Sequence, residues 1–280
     1  MGHSEKMSSG RPGPGATTDA RGAPRARPSL PDATGGILLT AMVAAQVVSG
    51  LDSRPARLTG LIVLLLTVCA LAFAAGTYGP FRASAALCAA AAAGYAAEWV
   101  GVRTGLPFGG YAYTGVLWPQ PGGVPVIVAL AWGGMGLAAH ATALAATTVS
   151  RGGRVTRIVL GACALTAWDL FLDPQMTRLG LWTWHVPGPY RGVPLSNFAG
   201  WLLVSLLVMV LIDGITAAGA MTSAGLVGLY TVMALMETVG FAVVFTPPDP
   251  LVAVLGGVCM GCFAVAAWSG VRRRSRAWQT

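Results

Sequence analysis

The sequence predicts an all-α, polytopic membrane bundle of about eight transmembrane helices behind a disordered N-terminal tail. Three observations lead there. Of 280 residues, 55% are apolar and only 10% charged, whereas soluble domains carry about 25% charged residues. Mean hydropathy is +0.66. Glycine (38 residues) and alanine are abundant, and small residues let membrane helices approach closely. A soluble enzyme, a disordered protein and a secreted disulfide scaffold are all disfavoured. The five cysteines lie in apolar stretches. Even Cys259-Met-Gly-Cys262 is a lone pair in mid-span, better read as packing than as a redox or metal motif.

Residues 1–33 are rich in Gly, Pro, Ser, Thr and Arg. They hold too little apolar surface to offset ordering entropy and are expected to form a disordered basic tail. A spanning helix needs about 20 apolar residues, and eight stretches qualify: 34–51, 58–76, 81–101, 124–149, 155–174, 194–216, 223–245 and 250–270. Residues 34–270 thus make the transmembrane domain, and 271–280 a basic cytoplasmic tail. Pro194 and Pro250 fit the first turns of the sixth and eighth spans.

Charge tests the span count. With both termini cytoplasmic, thirteen Lys and Arg face inward and five outward, the bias expected of inside loops. Seven spans would split the two basic tails across the membrane. The charge of +8 is therefore a topology signal, and no nucleic-acid partner is expected. The expected location is a bacterial cell membrane, crossed several times.

Two long aromatic loops, 102–123 and 175–193, fall on the outer side. They resemble each other. Gly123-Val124-Pro125 is followed seven residues after the proline by Trp132, and Gly192-Val193-Pro194 at the same distance by Trp201. Each loop follows a span ending in an acid, so spans three–four and five–six form a candidate internal repeat.

Five of the ten acidic residues fall inside spans: Glu98, Asp169, Asp173, Asp213 and Glu237. An acid at mid-bilayer costs about 2.5–3.5 kcal/mol, which makes such residues functional candidates by default. Glu98 lies at the outer end of span three. Asp169 and Asp173, four residues apart at the outer end of span five, share a helix face. Glu237 sits at a depth where it is able to join them. Asp213, near the inner end of span six, is expected to snorkel to the surface. His140 in span four reads as an interhelical hydrogen bonder rather than a ligand.

Aromatic rings crowd the same outer level: Trp99, Tyr111, Tyr113, Trp118, Trp132, Trp168, Trp182, Trp184, Tyr190 and Trp201. An interfacial belt explains some of them. Their concentration beside the acids suits another task, stabilising a transient cation through ring faces. A carboxyl group withdrawn from water favours its neutral form. Facing a polyene, it is able to protonate a double bond, and a second carboxylate then orients water or removes a proton. Such a reaction needs no metal and no nucleotide, and the sequence offers neither a Gly-rich phosphate loop nor a His/Cys metal cluster.

The stretch Glu98-Trp99-Val100-Gly101 with Thr104-Gly105-Leu106-Pro107-Phe108-Gly109-Gly110-Tyr111-Ala112-Tyr113 resembles membrane carotenoid biosynthesis proteins of the CruF type. So does Trp168-Asp169-Leu170-Phe171-Leu172-Asp173-Pro174-Gln175-Met176. So does Trp182-Thr183-Trp184, followed by Gly188-Pro189-Tyr190-Arg191-Gly192-Val193-Pro194-Leu195-Ser196-Asn197 and Gly200-Trp201. The resemblance covers roughly 35–270. It implies a carotenoid 1,2-hydratase, a lyase that adds water across the terminal double bond of an acyclic ψ-end. Its substrate would be a hydrophobic polyene such as γ-carotene, a lycopene type or a C50 bacterioruberin precursor. No redox cofactor is implied, and a glycosyltransferase of the same pathway is a conceivable partner.

Carried over by residue, the resemblance makes Glu98, Asp169 and Asp173 catalytic candidates. Asp169 and Asp173 would serve as proton donor and partner, and Glu98 as second acid or water-orienting base. Tyr111, Tyr113, Trp132, Trp182, Trp184, Asn197 and Trp201 become substrate-binding candidates. Gly105, Pro107, Gly109 and Gly110 are expected to shape the loop. Three other readings stay open. A membrane carotene cyclase would begin with the same protonation. An intramembrane prenyltransferase would use Asp169 and Asp173 to hold Mg²⁺ and diphosphate. A proton-coupled transporter would use the acids as a relay.

Overall fold

The computed structural model describes residues 1–2, 29–52, 56–150, 153–216 and 221–277. The expectation of a disordered segment 1–33 falls mostly outside them. Among the described residues, eight helices are each long and apolar enough to cross a membrane, the seventh together with the turn that extends it to Val244: α1 (Leu30–Leu51), α2 (Ala56–Tyr78), α3 (Pro80–Thr104), α4 (Val126–Ser150), α5 (Arg154–Arg178), α6 (Leu195–Thr216), α7 (Ala224–Val239) and α8 (Pro250–Ala277). Two three-residue strands, β1 (Tyr111–Tyr113) and β2 (Trp182–Trp184), lie in the two long loops.

Helix ends depart from the sequence expectation where local chemistry extends them. α1 begins at Leu30 rather than 34, because the Ser29 hydroxyl accepts the Asp32 N–H at 3.3 Å. A serine cap followed by proline in the first turn is a strong start signal. α8 runs to Ala277, so Arg272, Arg273 and Arg274 lie on its last turns rather than in a separate tail. Pro250 opens α8 as expected, whereas Pro194 sits one residue before α6. α7 ends in a wide π-type turn over Gly240–Val244.

α5 was expected to stop at Pro174, yet it continues to Arg178. A proline inside a helix leaves the carbonyl four residues back without its donor. Here that carbonyl belongs to Leu170, and it accepts the Tyr190 hydroxyl at 2.9 Å. The bond that Pro174 removes from the helix thus ties the loop before α6 onto α5.

The central helix is α4, which packs against α2, α3, α5, α6, α7 and α8. Three glycines permit this. A Cβ at Gly133 would meet the Leu87 carbonyl of α3 at 3.1 Å. One at Gly134 would meet Thr67 of α2 at 3.2 Å, and one at Gly136 would meet Val208 of α6 at 3.1 Å. Small residues replace the missing hydrophobic drive between helices with close backbone packing.

The candidate repeat has a geometric counterpart. β1 and β2 pair antiparallel in the register Tyr111–Trp184, Ala112–Thr183 and Tyr113–Trp182. Trp132 and Trp201, matched in the two half-motifs, stack at 4.1 Å and 19°. α3 lies against α4 and α6, and so does α5. The α3–β1–α4 and α5–β2–α6 units thus have the same order of elements and matching contacts.

Asp213 does not snorkel. It is buried on α6, accepting Arg154 Nε at 2.7 Å and Arg157 Nε at 2.6 Å from α5, with His140 Nε2 of α4 at 3.2 Å. The interhelical role expected of His140 is met here. The two arginines reach in and remove the need for Asp213 to reach out. Breaking a buried ion pair costs about 3 kcal/mol or more. Asp213→Asn is expected to lower the melting temperature of detergent-solubilised protein clearly. Arg154→Ala should change it little, because the Arg154 side chain is 61% exposed and exposed pairs contribute about 1 kcal/mol or less.

Candidate active site

Glu98 sits near the C-terminal end of α3, buried, with both oxygens occupied. Tyr111 and Tyr113 donate their hydroxyls to Oε2, the latter at 2.8 Å, and Trp132 Nε1 donates to Oε1 at 3.1 Å. Room for these rings comes from glycines one turn away on the same helix face. A Cβ at Gly94 would collide with the Trp132 side chain, and one at Gly101 would lie 2.7 Å from the Tyr111 hydroxyl. The sequence reading passed over Gly94. Its signal was the Gly94–Glu98–Gly101 spacing, at which three residues share one stripe of a helix.

Asp169 and Asp173 of α5 are both buried. Asn197, in the first turn of α6, donates its amide nitrogen to Asp169 Oδ2 at 2.7 Å and to Asp173 Oδ2. Trp182 Nε1 of β2 donates to Asp173 Oδ1 at 2.9 Å. Asp169 Oδ1 is buried with no protein partner. The two half-units correspond here too, since Glu98 precedes Tyr111, and Asp169 precedes Trp182, by thirteen residues.

The loops supply the donors because they are fixed themselves. Gly105 and Gly109 adopt φ of +75° and +120°, a region that favours glycine. A Cβ at Gly200 would meet the Pro107 carbonyl and the Phe108 ring at 2.8 Å. Ser196 Oγ donates to the Phe108 carbonyl at 3.0 Å, so the first loop lies on α6. Arg191 (φ +53°) and Gly192 (φ +87°) turn the second loop, and an Arg191–Asp249 pair at 2.6 Å holds it to the approach of α8.

Glu98 and Asp173 face one cavity of about 50 Å³. Its wall includes Tyr111, Tyr113, Trp132, Trp168, Trp182, Trp184, Asn197 and Trp201. Thr59 and Val63 of α2 complete it, and neither was identified from sequence. Asp169 lies behind Asp173 and does not line the cavity. Burial first, and the adjacent Glu98 charge second, push the Tyr111 and Tyr113 phenols above their ordinary range. Both therefore remain hydrogen-bond donors to Glu98.

Three expectations change. Trp99 and Trp118 are 43% and 83% exposed, and Trp99 packs under Arg103, so these two fit the interfacial belt. Tyr190 turns to Leu170 and serves the loop rather than the cavity. Glu237 does not join the other acids. It lines a neighbouring chamber, because α7 packs mainly on α4 and α8, with smaller contacts to α1 and α2.

Fold and site together define a multi-pass helical membrane protein whose buried acids meet in an apolar, aromatic-walled cavity. The chain belongs to the carotenoid biosynthesis protein family, whose sequence profile matches residues 59–264. Over 140 residues it is 34% identical to the bisanhydrobacterioruberin hydratase of Haloarcula japonica, a match covering 49% of this chain and 47% of that protein. The chain thus aligns with about half the length of that relative. No solved structure matches it.

A Cβ at position 101 displaces the Tyr111 hydroxyl from Glu98. A buried acceptor left without its donor costs about 1–3 kcal/mol. Gly101→Ala is therefore expected to lower the melting temperature of the detergent-solubilised protein clearly. An unchanged melting temperature would show that the Tyr111–Glu98 contact does not depend on the glycine at 101.

Proposed function

We propose that this protein is a carotenoid hydratase that adds water across the terminal C1,C2 double bond of an acyclic ψ-end. The observation that carries the proposal is the pair Glu98 and Asp173, facing one apolar cavity from α3 and α5. The name of the half-length relative supports the same direction.

In this reading the Asp169–Asp173 pair, bridged by one Asn197 amide, holds a single shared proton. Two carboxylates this close do not both ionise without a large cost. Asp173 is the member that meets substrate. It gives its proton to C2 of the terminal alkene, which leaves a tertiary cation at C1. The faces of Trp132, Trp184 and Trp201 line the cavity and stabilise that charge; cation–π contacts contribute about 2 kcal/mol when desolvated. Glu98, held by two phenols and an indole, takes a proton from the water as its oxygen bonds to C1. A proton passes back to the aspartate pair, and the net change is one water added.

A cyclase would share the first step and let an internal alkene capture the cation. The prenyltransferase reading is weakened because the Asp169 and Asp173 oxygens facing each other are already committed to an amide. A transporter would use the same acids, with Glu237, as a proton relay.

Expression in a host that accumulates lycopene or a C50 precursor is expected to yield a product heavier by one water. A product of unchanged mass would replace hydration by cyclisation. Asp173→Asn and Glu98→Gln should each lower turnover by about 10²-fold or more with protein levels maintained; near-normal rates in both would overturn the acid assignment. Trp184→Ala should slow the reaction more than Trp184→Phe, measured as initial rates in membranes. Equal rates would mean that the ring only packs.

A further inference from the structure

A hydration site buried among membrane helices must be supplied with water, and the reaction cavity is poorly built to store it. The four oxygens of Glu98 and Asp173 are all taken by protein donors. A second chamber of about 210 Å³ lies beside it, between α1, α2, α5 and α7. The two spaces share Thr59, Val63, Trp168, Leu172 and Met176 as walls.

This chamber contains polar groups without protein partners. Glu237 is 7% exposed, lines the chamber and has no hydrogen-bond partner among the described residues. Gln46 also lines it; its amide nitrogen meets only the Met233 sulfur at 3.5 Å, and its Oε1 is buried with no partner. Buried polar groups left unpaired by protein are satisfied by internal water when the space admits it. A lone buried carboxyl is otherwise too costly to keep in a membrane helix.

The chamber is also connected outward. It shares Gly50, Leu179, Val244 and Phe245 with an open depression of about 860 Å³ at the ends of α1, α2 and α5, where Arg57 and Arg178 lie. Val244 and Phe245 belong to the π-type turn and its end, and such turns recur at functional positions in helices.

We propose that the Glu237–Gln46 chamber is a water-binding site that feeds the reaction cavity. Water enters from the outer depression, is held by the Glu237 carboxyl and the Gln46 amide, and crosses the Trp168–Leu172 wall to meet the C1 cation. This role rests on the hydratase reading, while the hydration of the chamber itself does not. With the chamber dry, the cation would lose a proton or be captured by an alkene instead, giving product of unchanged mass.

Two measurements test it. In lipid nanodiscs, radiolytic hydroxyl labelling read by mass spectrometry should oxidise Met233, which is 3% exposed at the chamber, several-fold faster than Met209, which is fully buried in the core. Glu237→Leu should bring Met233 down to the Met209 rate, and Glu237→Gln should not. Equal rates for the two methionines in the unmodified protein would overturn the proposal whether or not the enzyme hydrates. In the producing host, Glu237→Leu should lower the ratio of hydrated to mass-unchanged product by about tenfold, with Glu237→Gln restoring most of it. A wet chamber with an unaltered product ratio would overturn the supply role. So would Glu237→Gln behaving like Glu237→Leu, since a proton rather than held water would then be required. If the unmodified protein gave no hydrated product while Met233 still labelled fast, the hydratase reading would fail and the supply role with it, but the water site would stand. Replacing an unpaired buried acid by leucine should not reduce folded protein, and Gln46→Leu provides an independent variant with the same expected direction.

Discussion

The structure depends on giving carboxyl groups buried in the helical bundle polar partners in place of bulk solvent. Four of the five membrane-embedded acids find those partners in the protein, in different ways. Glu98 is met by two phenols and an indole. Asp169 and Asp173 share one amide, and Asp173 gains an indole. Asp213 is neutralised by two arginines beside His140. Only in the last case is the partner a full positive charge. At the cavity of Glu98 and Asp173 the partners are neutral donors, which orient a carboxyl without fixing its charge, and that leaves it free to exchange a proton. Asp213 is structural for the same reason: a carboxylate held by two guanidinium groups has no proton to give.

The pairing of the two half-units explains why the site sits where it does. Each half supplies a helix bearing an acid, a short strand of rings and a helix bearing a tryptophan. Antiparallel pairing of the strands brings the loop rings over both acids at once. The halves differ at matched positions. Three residues after the motif proline, one half has Val128 and the other Asn197, and both line the cavity. The asparagine is the residue that couples two aspartates on one side, whereas the other side carries a single glutamate. A matched frame thus holds an asymmetric set of acids, as the proposed reaction with one donor and one acceptor requires.

Several departures from regular structure serve the same end. Pro174 costs α5 a backbone bond, and Tyr190 replaces it from the loop. Gly94 and Gly101 give up side-chain packing so that Trp132 and Tyr111 reach Glu98. Gly200 lets the first loop lie on α6. Each local loss of packing is offset by a contact that positions a ring or a loop at the acids.

Much of this was legible in the amino-acid order alone. Hydropathy set eight helices, and the distance from Pro125 to Trp132 and from Pro194 to Trp201 marked the two half-units that the stacked indoles join. The four-residue spacing of Asp169 and Asp173 placed them on one face, as their common partner Asn197 reflects. Linear order did not decide which acids meet. Glu237, expected at the level of Glu98, faces another chamber, and Asp213 turns inward to arginines from a different helix. Helical period tells which side of a helix a residue occupies, but not which helix packs there. That choice follows from the close approach of helices at glycines and from loops folding back to satisfy buried polar atoms, and both exist only once the chain has its tertiary structure.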